Sequence, residues 1–214
     1  MTQAAVANVG REAAVVDLRS FLDRLRSRND LVEIAGRTDL ADVAAQLDGC
    51  GDAILFSNVG QEGSRLVGNV AGSRERLALA FDTDPHDLLQ TVLGRLANPK
   101  GTRAVPQSQA PAQEVVLRGD EADFSRLPIH LQHRLDGGPY ISSSMDIAFD
   151  ARSGLTNVGI RRLMVRGRRE AGVDLVSPSD LKAIYEQYVA DGKHMPIAFI
   201  VGSHPVDHVA ATMR

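Results

Sequence analysis

Residues 155–167 read Leu-Thr-Asn-Val-Gly-Ile-Arg-Arg-Leu-Met-Val-Arg-Gly. After Asn157 the side chains alternate between two faces, which is the signature of a β-strand. One face collects Val158, Ile160, Arg162 and Met164, and the other Gly159, Arg161, Leu163 and Val165. Arg162 therefore stands in an otherwise apolar row. A guanidinium keeps its charge, so burying it demands an anionic partner from a ligand or from the protein. The competing reading puts Arg162 at a sheet edge, wetted or paired with an Asp or Glu.

The same patterning orders the rest of the chain. Asp17 caps a helix whose inner face is Leu18, Phe21, Leu22 and Leu25. Leu31–Ile34 reads as a short strand. Leu40, Val43, Ala44 and Leu47 form a second helix, stopped by Gly49 and Gly51. Ala53–Phe56 is a buried-type strand, and a turn at Gln61–Gly63 leads to Leu66 and Val67. Ser73 caps a helix through Phe81. Asp84-Pro85 supplies a cap and first-turn proline before Leu88, Leu89, Val92, Leu93 and Leu96. Alternating helices and strands predict an N-terminal α/β unit over residues 1–110, frayed at 1–13.

Residues 98–113 carry Pro106 and Pro111 among polar residues and read as a linker. Beyond it, 111–214 is richer in strands: Glu114–Leu117, Tyr140–Phe149, Val158–Val165 and Ile197–Val201. One helix, Pro178 to about Ala190, presents Leu181, Ile184, Tyr185, Tyr188 and Val189 inward. This predicts a β-rich layer or partial barrel with a covering helix. Pro205 opens a new turn, read as a helix. An apolar strand so near the end predicts that a partner, or a second copy, covers the Ile197–Val201 edge.

Composition narrows the function classes. The net charge is −3, with six Phe, three Tyr and no Trp. That offers no field for nucleic acid and no base-stacking platform. The sequence has neither a bilayer-spanning apolar run nor a signal peptide, and the lone Cys50 reads as an incidental thiol, so the expectation is a cytoplasmic protein. Dinucleotide, P-loop and nucleophile-elbow motifs are absent. His130 and His133 have the spacing of a metal pair if their loop is helical, and otherwise read as surface residues. Ser142-Ser143-Ser144 reads as the polar filling of an exposed face.

Several segments together resemble the UbiD family of reversible decarboxylases, which use prenylated FMN. They are Asp136-Gly-Gly-Pro-Tyr-Ile141, Asn157-Val-Gly-Ile-Arg-Arg162, Met195–Val201, the Gly202–Pro205 loop and the Asp17–Leu22 opening. The resemblance covers essentially the whole chain. It implies an N-terminal α/β domain followed by a split-β-barrel flavin domain. By the same resemblance, Asn157 helps hold Mn²⁺ or Mg²⁺ against the flavin phosphate, and Arg162 lies beside flavin and substrate carboxylate. Val158, Ile160, Ser179, Ala211 and Met213 line the cofactor or a K⁺ site. Where the family commonly has a second ligating His, this chain aligns Asp180. That residue reads either as a ligand or as part of a Ser177–Asp180 capping box.

Family members run to more than twice this length, and their third metal ligand and catalytic glutamates align beyond residue 214. The implied function is a shortened or split subunit. It acts on an aromatic or α,β-unsaturated carboxylic acid and needs a second polypeptide for the missing carboxylates. The alternative is a non-catalytic flavin- or phosphate-binding or assembly module with the same fold.

Overall fold

A computed structural model describes residues 17–60, 62–101 and 104–213. The frayed stretch expected at 1–13 and Gln61 of the expected turn lie outside the described residues. The architecture mixes helices with two sheets, as the alternation predicted. The first sheet has the order β1-β2-β3: β1 (Leu31–Thr38), β2 (Ala53–Val59) and β3 (Ser64–Gly68). β1 and β2 run parallel across the crossover helix α2 (Val43–Leu47), and β3 returns antiparallel.

β2 is buried on both faces, which explains its unbroken apolar run. Ala53 and Leu55 pack with α1 (Leu18–Ser27), α3 (Arg74–Ala80) and α4 (Leu88–Ala97), while Ile54, Phe56 and Val59 pack with Val43 of α2. Asp17 caps α1 as expected, its carboxylate accepting from Ser20 N, and Ser73 caps α3. Arg76 is 3% exposed and forms a two-pronged pair with Asp30 at 2.9 and 2.7 Å. It also donates to the carbonyls of Asn69 and Gly51. One cation thereby ties α3 to loops at the ends of all three strands, a knot that periodicity does not reveal.

Three expectations need correction. α4 starts at Leu88, not at the Asp84-Pro85 pair. Residues 84–87 form a turn closed by Asp87 N on the Asp84 carbonyl at 3.0 Å, and the Asp87 carboxylate is engaged by His86 instead of capping. Glu114–Leu117 is not a strand. It follows two 3₁₀ turns, Gln107–Gln109 and Pro111–Gln113, and has no ladder partner; Val115 is 74% exposed. The inward face of α5 (Asp180–Ala190) is narrower than its periodicity suggested: Leu181 and Ile184 are buried, while Tyr185 and Val189 are exposed.

The second sheet has the order β6-β5-β4-β7: β4 (Tyr140–Phe149), β5 (Thr156–Val165), β6 (Ala171–Val173) and β7 (Ile197–Val201). Every pairing is antiparallel. Among the described residues the expected partial barrel is an open sheet with β7 at one edge. Helix α6 (Pro205–Ala210) joins the two halves, because Val206, Val209 and the following Met213 pack on the core of the first.

His204 locks that junction. It is 4% exposed, meets the Phe21 ring edge-on at 5.0 Å, and its Nδ1 accepts from Val206 N at 3.3 Å. Burial lowers its pKa, with Arg24 acting the same way and Asp207, Asp82 and Asp17 opposing. An imidazolium has no acceptor left for the cap. As pH falls from the ordinary value of 6.5 toward the lowered folded value, the unfolded chain takes up a proton that the folded chain resists, so stability drops. The prediction is that His204→Asn, which keeps a capping side chain, flattens the loss of the urea midpoint between pH 7 and pH 5. Equal slopes for both proteins would remove His204 as the cause.

Candidate active site

The β4–β5 ladder positions the residues singled out in the sequence. Its register runs Ala148↔Asn157, Asp146↔Gly159 and Ser144↔Arg161, then shifts, with Ile141 opposite Leu163. Ser142 and Ser143 thus oppose Arg162 alone, which is a β-bulge. Such a bulge re-aims the side chain across from it. Arg162 is exposed and forms no ion pair or hydrogen bond among the described residues.

This corrects the premise of a buried cation. Arg162 does share a face with Val158, Ile160 and Met164, but its Val158–Arg162 part is open, while Met164 is half-buried and Met145, the β4 partner of Ile160, is buried. Val158 is 43% and Ile160 39% exposed, and Ile200 of β7 continues the surface. Alternation defines two faces without saying which one is covered. Two surface concavities lie at Gln107–Glu114 and beside Asp120 and Gly167–Glu170.

The buried face carries Ser144, Asp146 and Ala148, with Asn157, Gly159 and Arg161 beside them. Helix α5 packs on β4. Ser144 is fully buried and its Oγ donates to the Arg161 carbonyl at 2.8 Å, so it is not the filling of an exposed face. Asp146 is also fully buried. Arg161 Nε stands 3.3 Å from its Oδ1, and neither carboxylate oxygen accepts a hydrogen bond among the described residues. Burial raises the Asp146 pKa, and the Arg161 charge opposes that shift. The sequence signal for this pair was an Asp inside the apolar run Met145–Phe149, one strand away from an Arg.

Asn157 is half-buried at the start of β5, on the Arg161 face and opposite to that of Arg162. β6 pairs only with Leu163–Val165, so the outer edge of β5 from Thr156 to Arg162 has no strand beside it among the described residues. Val158 and Ile160 have their backbone on that open edge. Ser179 is the cap of α5, its Oγ accepting from Lys182 N at 3.2 Å, and Asp180 is the first helical residue. The proposed Ser177–Asp180 box is therefore shifted, and the exposed Asp180 carboxylate is not a cap. Ala211 is buried behind α6, and Met213 packs into the first core.

No three His, Cys, Asp or Glu side chains converge as a metal site among the described residues. Asn157 and Asp180 alone do not make one. The loop carrying His130 and His133 is not helical, so the spacing that would pair them as ligands is not realised, and His133 Nδ1 accepts from Leu135 N. An apolar open face with an unpaired guanidinium does fit a planar, anionic cofactor such as a flavin.

Gly159 sets the clearance beneath this sheet. A Cβ there would stand 3.0 Å from Asp146 Oδ1. Gly159→Ala is predicted to cost about 1–2 kcal/mol, from overpacking against a carboxylate that has nowhere to go. In an Asp146→Ala background the same change costs less, a coupling readable from urea unfolding of the four proteins. Additive costs would refute the clash.

Residues 22–96 match the 3-octaprenyl-4-hydroxybenzoate carboxy-lyase N-terminal domain, and residues 103–214 its Rift-related domain. Anhydromevalonate phosphate decarboxylase of Methanothermobacter thermautotrophicus is 26% identical over 195 residues, covering 91% of this chain and 44% of that protein. Phenolic acid decarboxylase of Sedimentibacter hydroxybenzoicus is 28% identical over 211 residues, covering 89% and 43%. The UbiD-class enzyme HmfF from Pelotomaculum thermopropionicum, solved in complex with FMN, superimposes with a TM-score of 0.86 at 32% identity, covering 92% of this chain and 45% of that one. The chain thus spans less than half the length of these relatives. Its two halves match the two consecutive domains of one family, and the chain belongs to the UbiD family.

Proposed function

We propose that this chain forms the flavin-holding part of a UbiD-type non-oxidative decarboxylase. It acts on an aromatic or α,β-unsaturated carboxylic acid, or in reverse carboxylates the product. The observation that carries this reading is the open apolar face of β5, with Arg162 aimed from it by the bulge and left without a counter-ion. An isoalloxazine offers the apolar plane that Val158 and Ile160 lack, and a substrate carboxylate offers the charge that Arg162 lacks. Relatives with these activities, and an HmfF structure with prenylated FMN bound, support it.

The assigned cofactor is prenylated FMN, which supplies the electron sink for losing carbon dioxide. Arg162 binds and orients the acid's carboxylate through its fork of donors. Val158 and Ile160 keep water from the ring. Asn157 serves the phosphate end, and the backbone around Ala211 and Met213 borders it. Asn157 and Asp180 would hold part of the metal's coordination, and the remaining metal ligand and the proton donor would come from a further segment or a second polypeptide. The vanillic acid decarboxylase of Sedimentibacter hydroxybenzoicus was solved together with a second chain, ShVdcD, so at least one relative works with a separate subunit.

The test is Arg162→Gln in the assembled enzyme, assayed for carbon dioxide release from a panel of aromatic and unsaturated acids. The expected result is a loss of activity of about a hundredfold or more, with unchanged circular dichroism. Full activity would remove Arg162 from the site. A chain that binds neither flavin nor acid would favour the non-catalytic assembly module.

A further inference from the structure

Five arginines stand between positions 161 and 169. Three of them face a carboxylate: Arg161 stands 3.3 Å from Asp146, Arg168 2.6 Å from Asp123 and Arg169 3.1 Å from Asp120. The other two, Arg162 and Arg166, are exposed, and neither side chain has an ion pair or hydrogen bond among the described residues.

Arg166 leaves a nearby carboxylate unused. At the turn into β6 its backbone N–H donates to the Glu170 carbonyl at 2.9 Å, yet the Glu170 side chain forms no ion pair with it. The guanidinium lies on Gly172 of β6 instead: Nε, Cζ and Nη2 are 2.9, 3.1 and 3.3 Å from the point that a Cβ on Gly172 would occupy. A side chain at 172 would take that space, so glycine is what admits the arginine. Gly172 is the ladder partner of Met164. Directly paired residues project to one face of an antiparallel sheet, so this guanidinium lies on the Met164 face, which is also the face of Arg162.

Folding back brings the two free cations closer. The level of Met164 is about 6.6 Å along β5 from Arg162, and Gly172 is about 4.8 Å to its side, which puts the Arg166 guanidinium about 8 Å from the base of Arg162. Half-buried Met164 fills the interval, and Tyr140 Oη donates to its Sδ at 3.2 Å. The arrangement is two unneutralised cations with a thioether and a phenol ring between them.

We propose that Arg166 is a specificity-determining residue of the substrate site, and that the acid carries a second anionic group, a carboxylate or a phosphate, at its far end. The inference rests on the decarboxylase reading above and names the class of acid. Arg162 takes the carboxylate that leaves as carbon dioxide. The apolar body of the acid lies over Met164, and Arg166 takes the anion that stays. A doubly charged acid relieves the mutual repulsion of both guanidiniums at once.

Calorimetric titration of the assembled enzyme with two matched pairs tests this: terephthalate against its monoamide, and para-phosphonooxybenzoate against para-hydroxybenzoate. Wild type is expected to bind the doubly charged member of at least one pair about tenfold more tightly. Preference in the first pair identifies a dicarboxylic acid, and preference in the second a phosphate ester. Arg166→Gln is expected to bring the preference to within about twofold of unity, and Arg166→Lys to keep part of it. Gly172→Ala retains every charge but places a methyl group where the guanidinium lies, so it is expected to lower the preference too. Arg162→Gln is expected to weaken both members of a pair and preserve their ratio. No preference in wild type, or one that survives Arg166→Gln, would overturn the assignment while leaving the decarboxylase reading intact. Wild type that binds none of the four acids would overturn both.

Discussion

The antiparallel ladder between β4 and β5 is the constraint on which the rest depends. Strand side chains repeat every two residues, so one register decides the face of every residue from Asn157 to Val165. The bulge at Ser142–Ser143 then breaks the pairing opposite Arg162 and nowhere else along the ladder. Neighbouring arginines consequently leave opposite sides of one strand. Arg161 brings its Nε 3.3 Å from a buried carboxylate, and Arg162 stands free on an apolar surface. A slip of one residue would exchange these roles and bury the guanidinium that has no partner.

The N-terminal half supplies an anchor for this sheet. Its own sheet is packed on both faces and knotted by Arg76, so it holds a fixed surface against which α6 docks through Val206, Val209 and Met213. His204 couples the two, since its ring packs on Phe21 while its Nδ1 starts α6. The Ala211–Met213 segment is thereby tied to the first core.

Much of the fold was legible in the sequence because most elements bury a regular stripe. The capped helices at Asp17 and Ser73, the apolar β2 and the alternating β5 all follow from period and cap chemistry. The failures have physical causes. Asp84-Pro85 satisfies the helix-start pattern, yet a backbone turn and His86 claim those groups first. Val115–Leu117 has strand-forming residues but no neighbour to pair with. Arg162 was found for a partly mistaken reason: its apolar row is genuine, but alternation cannot say that the row is uncovered. The Asp146–Arg161 pair was missed because its two members lie on different strands and meet only through register. Family motifs located Asn157 and Arg162, but Arg161 stands at a variable position of the motif and Asp146 lies outside it.

The claim at the centre is that the open edge of β5, between Thr156 and Arg162, receives a flavin monophosphate. Amide hydrogen exchange of the full chain with and without FMN addresses it directly. The account predicts added protection in the 156–162 segment, the Ile200 stretch of β7 and the 211–213 segment, with the first sheet unchanged. Protection that appears elsewhere and spares 156–162, with FMN demonstrably bound, would contradict it.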